Sequence, residues 1–194
     1  MYVTVEGIDG AGKSSVADAL HEHYGGLFTV LTKAPGGTKL GTRLRHMLLH
    51  SDLDPCVDAQ DLLFAADYRQ LVHNVIRPSL EADYSIIQDR GVGSAIAYGL
   101  ARRDWMYADR QRLTSLYADV PMADIVVYLD ITVDTCFSRM SSTPDNVERS
   151  GPKFFEQVLS HFRNMAMTDR AWVTVDGEQP LDDVIADVLR VIPT

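Results

Sequence analysis

This sequence predicts a parallel α/β fold: one five-stranded sheet with helices packed on both faces. Two observations predict it. Strand-like runs alternate with helical stretches five times along the 194 residues, the pattern that calls for a parallel sheet. The run ADIVVYLDI at 123–131 has the dense apolar character of a strand buried on both faces. The elements follow in order. YVTVE at 2–6 is a short β-rich run, and a helix to Tyr24 follows the segment GIDGAGKSS, closed by Gly25-Gly26. LFTVLT at 27–32 reads as the second strand, and PGGT at 35–38 as a turn-forming loop. KLGTRLRHMLLH carries apolar residues at helical spacing, Leu40, Leu44, Met47 and Leu48. A long helical pattern runs from about 57 to 80, with Pro78 expected to bend or end it. YSIIQ at 84–88 is a strand that runs into Asp89-Arg90. Helices are expected at about 93–102, 107–118 and 133–140, the last on the far side of the 123–131 strand. The polar stretch SSTPDNVERSGP precedes the helix FFEQVLSHFRNMAM, then AWVTVD forms the last strand and LDDVIADVLRVI a closing amphipathic helix. No internal repeat, linker or low-complexity tract interrupts the series, so one domain over 1–194 is expected.

Composition narrows the function. Apolar residues make up 46% and charged residues 23%, the balance of a globular chain. With 18 basic against 27 acidic residues the net charge is −9, which argues against a nucleic-acid binder with a basic face. It leaves room for a phosphate-bearing small ligand held by a few local cations. Two cysteines, Cys56 and Cys136, make no disulfide framework and suit a reducing compartment. No apolar run approaches the roughly 18–20 residues of a membrane span. The opening MYVTVEGIDG reads as a strand, not a signal peptide. A cytoplasmic enzyme is expected, with no membrane and no nucleic-acid partner.

Residues 7–14, GIDGAGKS, match G-x-x-x-x-G-K-[ST] in full, between a predicted strand and a predicted helix. The spacing has a chemical reason. The glycines let the backbone curl so that successive N–H groups of Gly7, Ile8, Asp9, Gly10, Ala11, Gly12, Lys13, Ser14 and Ser15 turn toward phosphate oxygens, and the helix adds its positive N-terminus. Lys13 is placed to reach the β and γ phosphates, and the Ser14 hydroxyl to ligate Mg²⁺. That implies binding of a nucleoside triphosphate without fixing the reaction. The guanine-reading Asn-Lys-x-Asp segment of switch GTPases and the Leu-Ser-Gly-Gly signature of ABC ATPases are both missing from the sequence.

Beyond the loop, the chain resembles the thymidylate kinase family nearly end to end. VEGIDGAGKSS, KAPGGTKLGTRLRHMLL, LLFAADYRQ, IIQDRGVGSAIAY, PDNVERSGPKFF and VDGEQPLDDV fall in that family's order and spacing. The resemblance implies a P-loop kinase three-layer sandwich with a short lid at about 141–153. It also implies ATP and Mg²⁺ as requirements, and a homodimer through the 57–80 helix. Asp9, Lys13 and Arg90 would be catalytic, with Arg139 joining the loop on ATP. Arg90 would grip the acceptor phosphate and Arg45 approach it from the other side. Phe64 would stack on the base, Tyr98 pack under the sugar, and Ser94 and Arg69 line the substrate site. Ser14, Asp9 and Asp89 are the residues toward the metal, Asp89 by ordering either Arg90 or the metal's water shell. With glycine at position 10, lid cations would supply charge at the transferring phosphate, whether Arg139, Arg149 or Lys153. The chemistry agrees: an acceptor phosphate with a second pKa near ~6 is already anionic. Catalysis then consists of bringing two polyanions into line and neutralising them.

The departures cluster at the base. Lys33-Ala34 stands where the family has Arg-Glu, Tyr68 where an arginine is expected, Gly91 where an aromatic or histidine is, and Ala95 where a small polar residue is. Asp145-Asn146 replaces the common Asp-Arg of the lid. Arg69 lies one place late, about 100° round a helix. Phosphorylation of dTMP is the first expectation. A retuned pocket for another pyrimidine deoxynucleoside monophosphate is the second, because lost polar readout weakens discrimination. Behind them stand a deoxynucleoside kinase, which needs a carboxylate base for a neutral hydroxyl, and a nucleotide-binding regulator without turnover.

Overall fold

The computed structural model describes residues 1–25, 28–103, 107–140 and 144–192, with Tyr107 as backbone alone. Leu27 of the expected second strand, Gly26 of the helix-ending pair and positions 141–143 of the expected lid lie outside them. Five strands, β1 (Tyr2–Glu6), β2 (Thr29–Lys33), β3 (Ser85–Asp89), β4 (Ile125–Asp130) and β5 (Trp172–Asp176), form one sheet in the order β2-β3-β1-β4-β5. Every pairing is parallel. The helices are α1 (Lys13–His23), α2 (Lys39–His50), α3 (Val57–Leu71), α4 (Arg77–Glu81), α5 (Val92–Ala101), α6 (Tyr107–Ser115), α7 (Val133–Arg139), α8 (Pro152–Thr168) and α9 (Leu181–Val191).

Central strands β1 and β4 are fully or almost fully buried, β4 through its dense apolar run and β1 with the polar Thr4 and Glu6 taken in as well. On one face Val3, Val5, Ile87, Val127 and Leu129 pack with Val16 and Leu20 of α1 and Val184 and Val188 of α9, while Tyr128, pointing the other way, stacks on Phe162 of α8. On the other, Tyr2 and Ile86 meet Ala65, Tyr68 and Leu71 of α3. Each fully buried side chain of this kind contributes roughly 1.5–3 kcal/mol.

Several boundaries differ from the sequence expectation by a few residues, and three of the differences have a clear local reason. Helix α1 begins at Lys13, inside the glycine-rich segment. Gly12 precedes it with φ +89°, so Lys13 and Ser14 occupy the first turn. Helix α8 begins at Pro152, since proline at the first helical position gives up an N–H that has no partner there anyway. Pro78 does not end its helix. The chain widens into a π-turn over Val72–Ile76, where the Arg77 N–H reaches back to the Val72 carbonyl, and continues as α4 with Pro78 in its first turn. The widened turn absorbs a proline that an unbroken α-helix would have met with a clash.

Candidate active site

The site lies at the carboxyl ends of β1 and β3, where open α/β sheets gather ligands. These neighbours pair Val5 with Asp89, so the loop after Glu6 and the turn after Asp89 emerge side by side. The Arg90 N–H donates to the Val5 carbonyl at 3.0 Å. Gly7 has φ +148° and a Cβ there would sit 2.8 Å from the Leu129 carbonyl. Gly10 has φ +75° and a Cβ would come 3.0 Å from the Cys136 carbonyl and 3.2 Å from Arg139 Cβ. The loop can follow this path only with glycine at both places.

Arg90 itself is a non-glycine residue at φ +64°. That turn throws its side chain from the strand end over the loop. One guanidinium nitrogen contacts Asp9 Oδ1. The other donates to the Gly7 carbonyl at 3.1 Å and to Ser94 Oγ at 3.3 Å, with Tyr98 Oη at 3.5 Å. The Tyr98 hydroxyl donates to Asp9 Oδ2 at 2.8 Å. Burial alone would raise the Asp9 pKa, but Arg90 and Lys13 beside it, with the Tyr98 hydrogen bond, hold it below the ordinary carboxylate value. Burial works against the Arg90 cation, and Asp9 more than offsets this, so its pKa is raised.

Lys13 is buried, and its Nζ donates to the Ile8 carbonyl at 2.6 Å. Burial and the neighbouring Arg90 lower its pKa from 10.5 to about 8, against the opposing pull of Asp9, Asp89 and Glu6. Its contribution to folding stability is therefore full above 10.5 and lost as pH falls toward 8. A polyphosphate beside the lysine restores the charge. ATP binding at pH 8 is expected to take up about half a proton, measured as buffer-dependent binding enthalpy, and to weaken from pH 7 to 9. Binding with no proton uptake would contradict this placement of the lysine.

Ser14 Oγ donates to Asp89 Oδ2 at 2.6 Å, while Asp89 Oδ1 is buried without a hydrogen-bond partner. A hydroxyl beside a carboxylate with an unmatched oxygen is a donor set that fits Mg²⁺, which takes one or two protein oxygens and completes its shell with phosphate and water. Both oxygens of Asp9 are engaged by Arg90 and Tyr98, so the unmatched oxygen toward a metal belongs to Asp89 and not to Asp9. Arg90 is ordered by Asp9 rather than by Asp89.

Two adjoining cavities share Asp9 and Arg90. One holds Lys13, Ser14, Ser15, Asp89, Lys33 and Arg45. The other holds Phe64, Tyr68, Gly91, Ser94, Ala95, Tyr98 and Arg102. Arg45, whose guanidinium donates to the Pro35 carbonyl at 3.2 Å, comes from α2. Thr38 caps that helix by accepting the Gly41 N–H at 2.9 Å. Arg139 donates to the carbonyls of Gly10 and Gly177 at 3.3 and 3.0 Å, beside the loop. Arg149 lies in the segment beyond residue 143, donating to the Pro144 carbonyl at 3.1 Å, and Lys153 is exposed at the start of α8. Asn146 fastens that segment to the end of α2: its backbone N–H donates to the Leu49 carbonyl at 3.0 Å, and its amide to those of Leu48 and Ser51 at 3.2 and 3.0 Å.

Arg69 does not join this group. One step beyond Tyr68, it points away from the cavity and pairs with Asp119 at 2.6 Å on the surface. Tyr68 points inward, its hydroxyl 3.0 Å from that of Tyr2, which donates to Gln88 Oε1 at 2.7 Å. The structure also brings in residues that sequence reasoning passed over. Lys33 lines the cavity of the phosphate loop. The Arg102 guanidinium sits 5.3 Å over the Phe64 ring and 3.3 Å from Asp61. Glu6 is buried behind Ser94. Its signal was present in the sequence, because a carboxylate ending a buried strand demands partners.

A sequence model of the family described as thymidylate kinase matches residues 5–188. The chain is similar to a thymidylate kinase of Fervidobacterium nodosum, at 31% identity covering 98% of each chain. A thymidylate kinase of Thermosipho melanesiensis is 32% identical over 100% of this chain and 98% of its own. One of a Synechococcus species is 37% identical over 94% and 90%.

Proposed function

The chain belongs to the thymidylate kinase family, and from that premise we propose that it transfers the γ-phosphoryl group of ATP to dTMP, giving ADP and dTDP. The observation that carries this reading is the shared wall: Asp9 and Arg90 line both the phosphate-loop cavity and the cavity bounded by Phe64 and Tyr98. A donor polyphosphate in the first and a monophosphate in the second meet at Arg90.

The loop amides and Lys13 hold the donor, Lys13 leaving the Ile8 carbonyl for the phosphates. Arg90 and Arg45 grip the acceptor phosphate, Phe64 stacks on the base, and Tyr98 packs beneath the sugar. An acceptor oxygen, already anionic, attacks the γ-phosphorus, and the bond from that phosphorus to the β,γ-bridging oxygen breaks as ADP leaves. The protein supplies alignment and positive charge, with no strong base. Mg²⁺ held by Ser14 and Asp89 would neutralise phosphate charge. Arg139, beside Gly10, adds a further cation on the ATP side.

The protein works on small nucleotides as one domain over 1–194 with a lid at about 141–153, and as a homodimer through the 57–80 stretch, where Leu62 is 56% exposed. A cytoplasmic location suits the two free cysteines. Among the described residues no helix is long and apolar enough to cross a membrane. A panel of nucleoside monophosphates and thymidine, assayed with Mg-ATP, tests the activity. A dTMP rate well above every other acceptor is expected, and a higher rate on another pyrimidine deoxynucleotide would move the assignment to it. Sedimentation of the same preparation reads the dimer.

A further inference from the structure

We propose that Glu6 is a positioning residue that sets the hydrogen-bonding direction of Ser94 and, through it, the orientation of Arg90 toward the acceptor phosphate; this rests on the kinase reading above. Glu6 ends β1 and is 1% exposed. It lines neither substrate cavity, so it acts only through what it touches. Its Oε1 accepts the N–H groups of Gly91 and Ser94 at 2.9 and 3.0 Å, and its Oε2 accepts the Ser94 hydroxyl. Ser94 Oγ in turn accepts from the Arg90 guanidinium at 3.3 Å.

The chemistry of the two groups fixes the direction of this chain. An ionised carboxylate only accepts, and a serine has one hydrogen to give. That hydrogen points at Glu6, which leaves the Ser94 lone pairs for Arg90, a donor with nothing to accept. Burial raises the Glu6 pKa above the ordinary carboxylate value, and the three donors with the nearby Arg90 work against that in favour of the ionised form. Gly91 and Ser94 flank the turn from β3 into α5, so the same carboxylate holds the backbone on which Arg90 stands.

Glu6→Gln keeps the shape and reverses the direction. Two backbone N–H groups require an acceptor, so the amide oxygen stays with them and the NH₂ faces Ser94. It donates to Oγ, the hydroxyl hydrogen is freed to turn, and the lone pair offered to Arg90 is no longer fixed. The expected result is a rise of about tenfold in the KM for dTMP, the scale of one hydrogen bond to a charged group, with the KM for ATP within about twofold. Ser94→Ala removes the link and is expected to give the same dTMP-selective rise. The double variant is expected to be no worse than Ser94→Ala alone, because the two act as one unit. Equal rises for both substrates, or additive losses in the double variant, would overturn the inference and make Glu6 a fold residue only. If Glu6→Gln does not fold, Ser94→Ala decides: an unchanged KM for dTMP sinks the proposal. Wild-type turnover of dTMP in the same assay separates the outcomes, since an inactive wild type takes the kinase reading down as well.

Discussion

Lys13→Ala abolishes phosphoryl transfer while the protein stays folded; kcat is expected to fall by on the order of 10³-fold or more, the scale of removing a preorganised cation from a transferring phosphoryl group. The lysine stands in the first turn of α1, where alanine is an excellent helix former, and its charge is held at a cost that shows in a pKa lowered to about 8. Its removal leaves the Ile8 carbonyl with the Ala11 N–H at 3.3 Å and takes away a buried cation, so the melting temperature should move little. Steady-state kinetics beside a thermal melt read the two effects apart. Undiminished turnover in a folded Lys13→Ala protein would remove the lysine from the mechanism.

Arg90→Ala is the second large effect, and it strikes both function and stability. The guanidinium is the cation common to the two cavities, and it is held by four neighbours. Without it the acceptor phosphate loses its grip, and a loss of about 10²–10³ in kcat/KM for dTMP is expected. Asp9 is left facing Tyr98 with its main counter-charge gone. Breaking a buried pair costs about 3–5 kcal/mol. The Asp9 side chain keeps 25% of its exposure, so roughly 2–3 kcal/mol is the appropriate expectation after solvent screening. Denaturant unfolding gives the second number and kinetics the first. A variant with normal kcat/KM for dTMP would show that Arg90 does not carry the acceptor.

Much of this arrangement is legible in the sequence, for reasons that differ by element. The strands are legible because a sheet covered on both faces leaves runs such as ADIVVYLDI, and the phosphate loop because its spacing is dictated by backbone geometry. Arg69 shows where reading stops. Its offset of about 100° from Tyr68 is visible, and it implies that the arginine leaves the pocket, but the surface partner Asp119 is fifty positions away. The π-turn before Pro78 is invisible in the local pattern, because the helix could have kinked there equally well and tertiary packing of Leu71, Val72 and Ile76 decides otherwise. Lys33 and Arg102 reach the cavities through the placement of β2 and of the end of α5, which no periodicity encodes. Glu6 was readable by the argument that singled out Arg90, a charge at the end of a buried strand.

The contacts of Asn146 have a mechanical meaning. The last carbonyls of a helix have no partner within it, and at the end of α2 those of Leu48 and Leu49, with that of the cap residue Ser51, are taken by one asparagine. The same helix carries Arg45 near its middle. Arg45 and the segment at Asn146 are therefore tied to one helix, and a displacement of α2 would carry both.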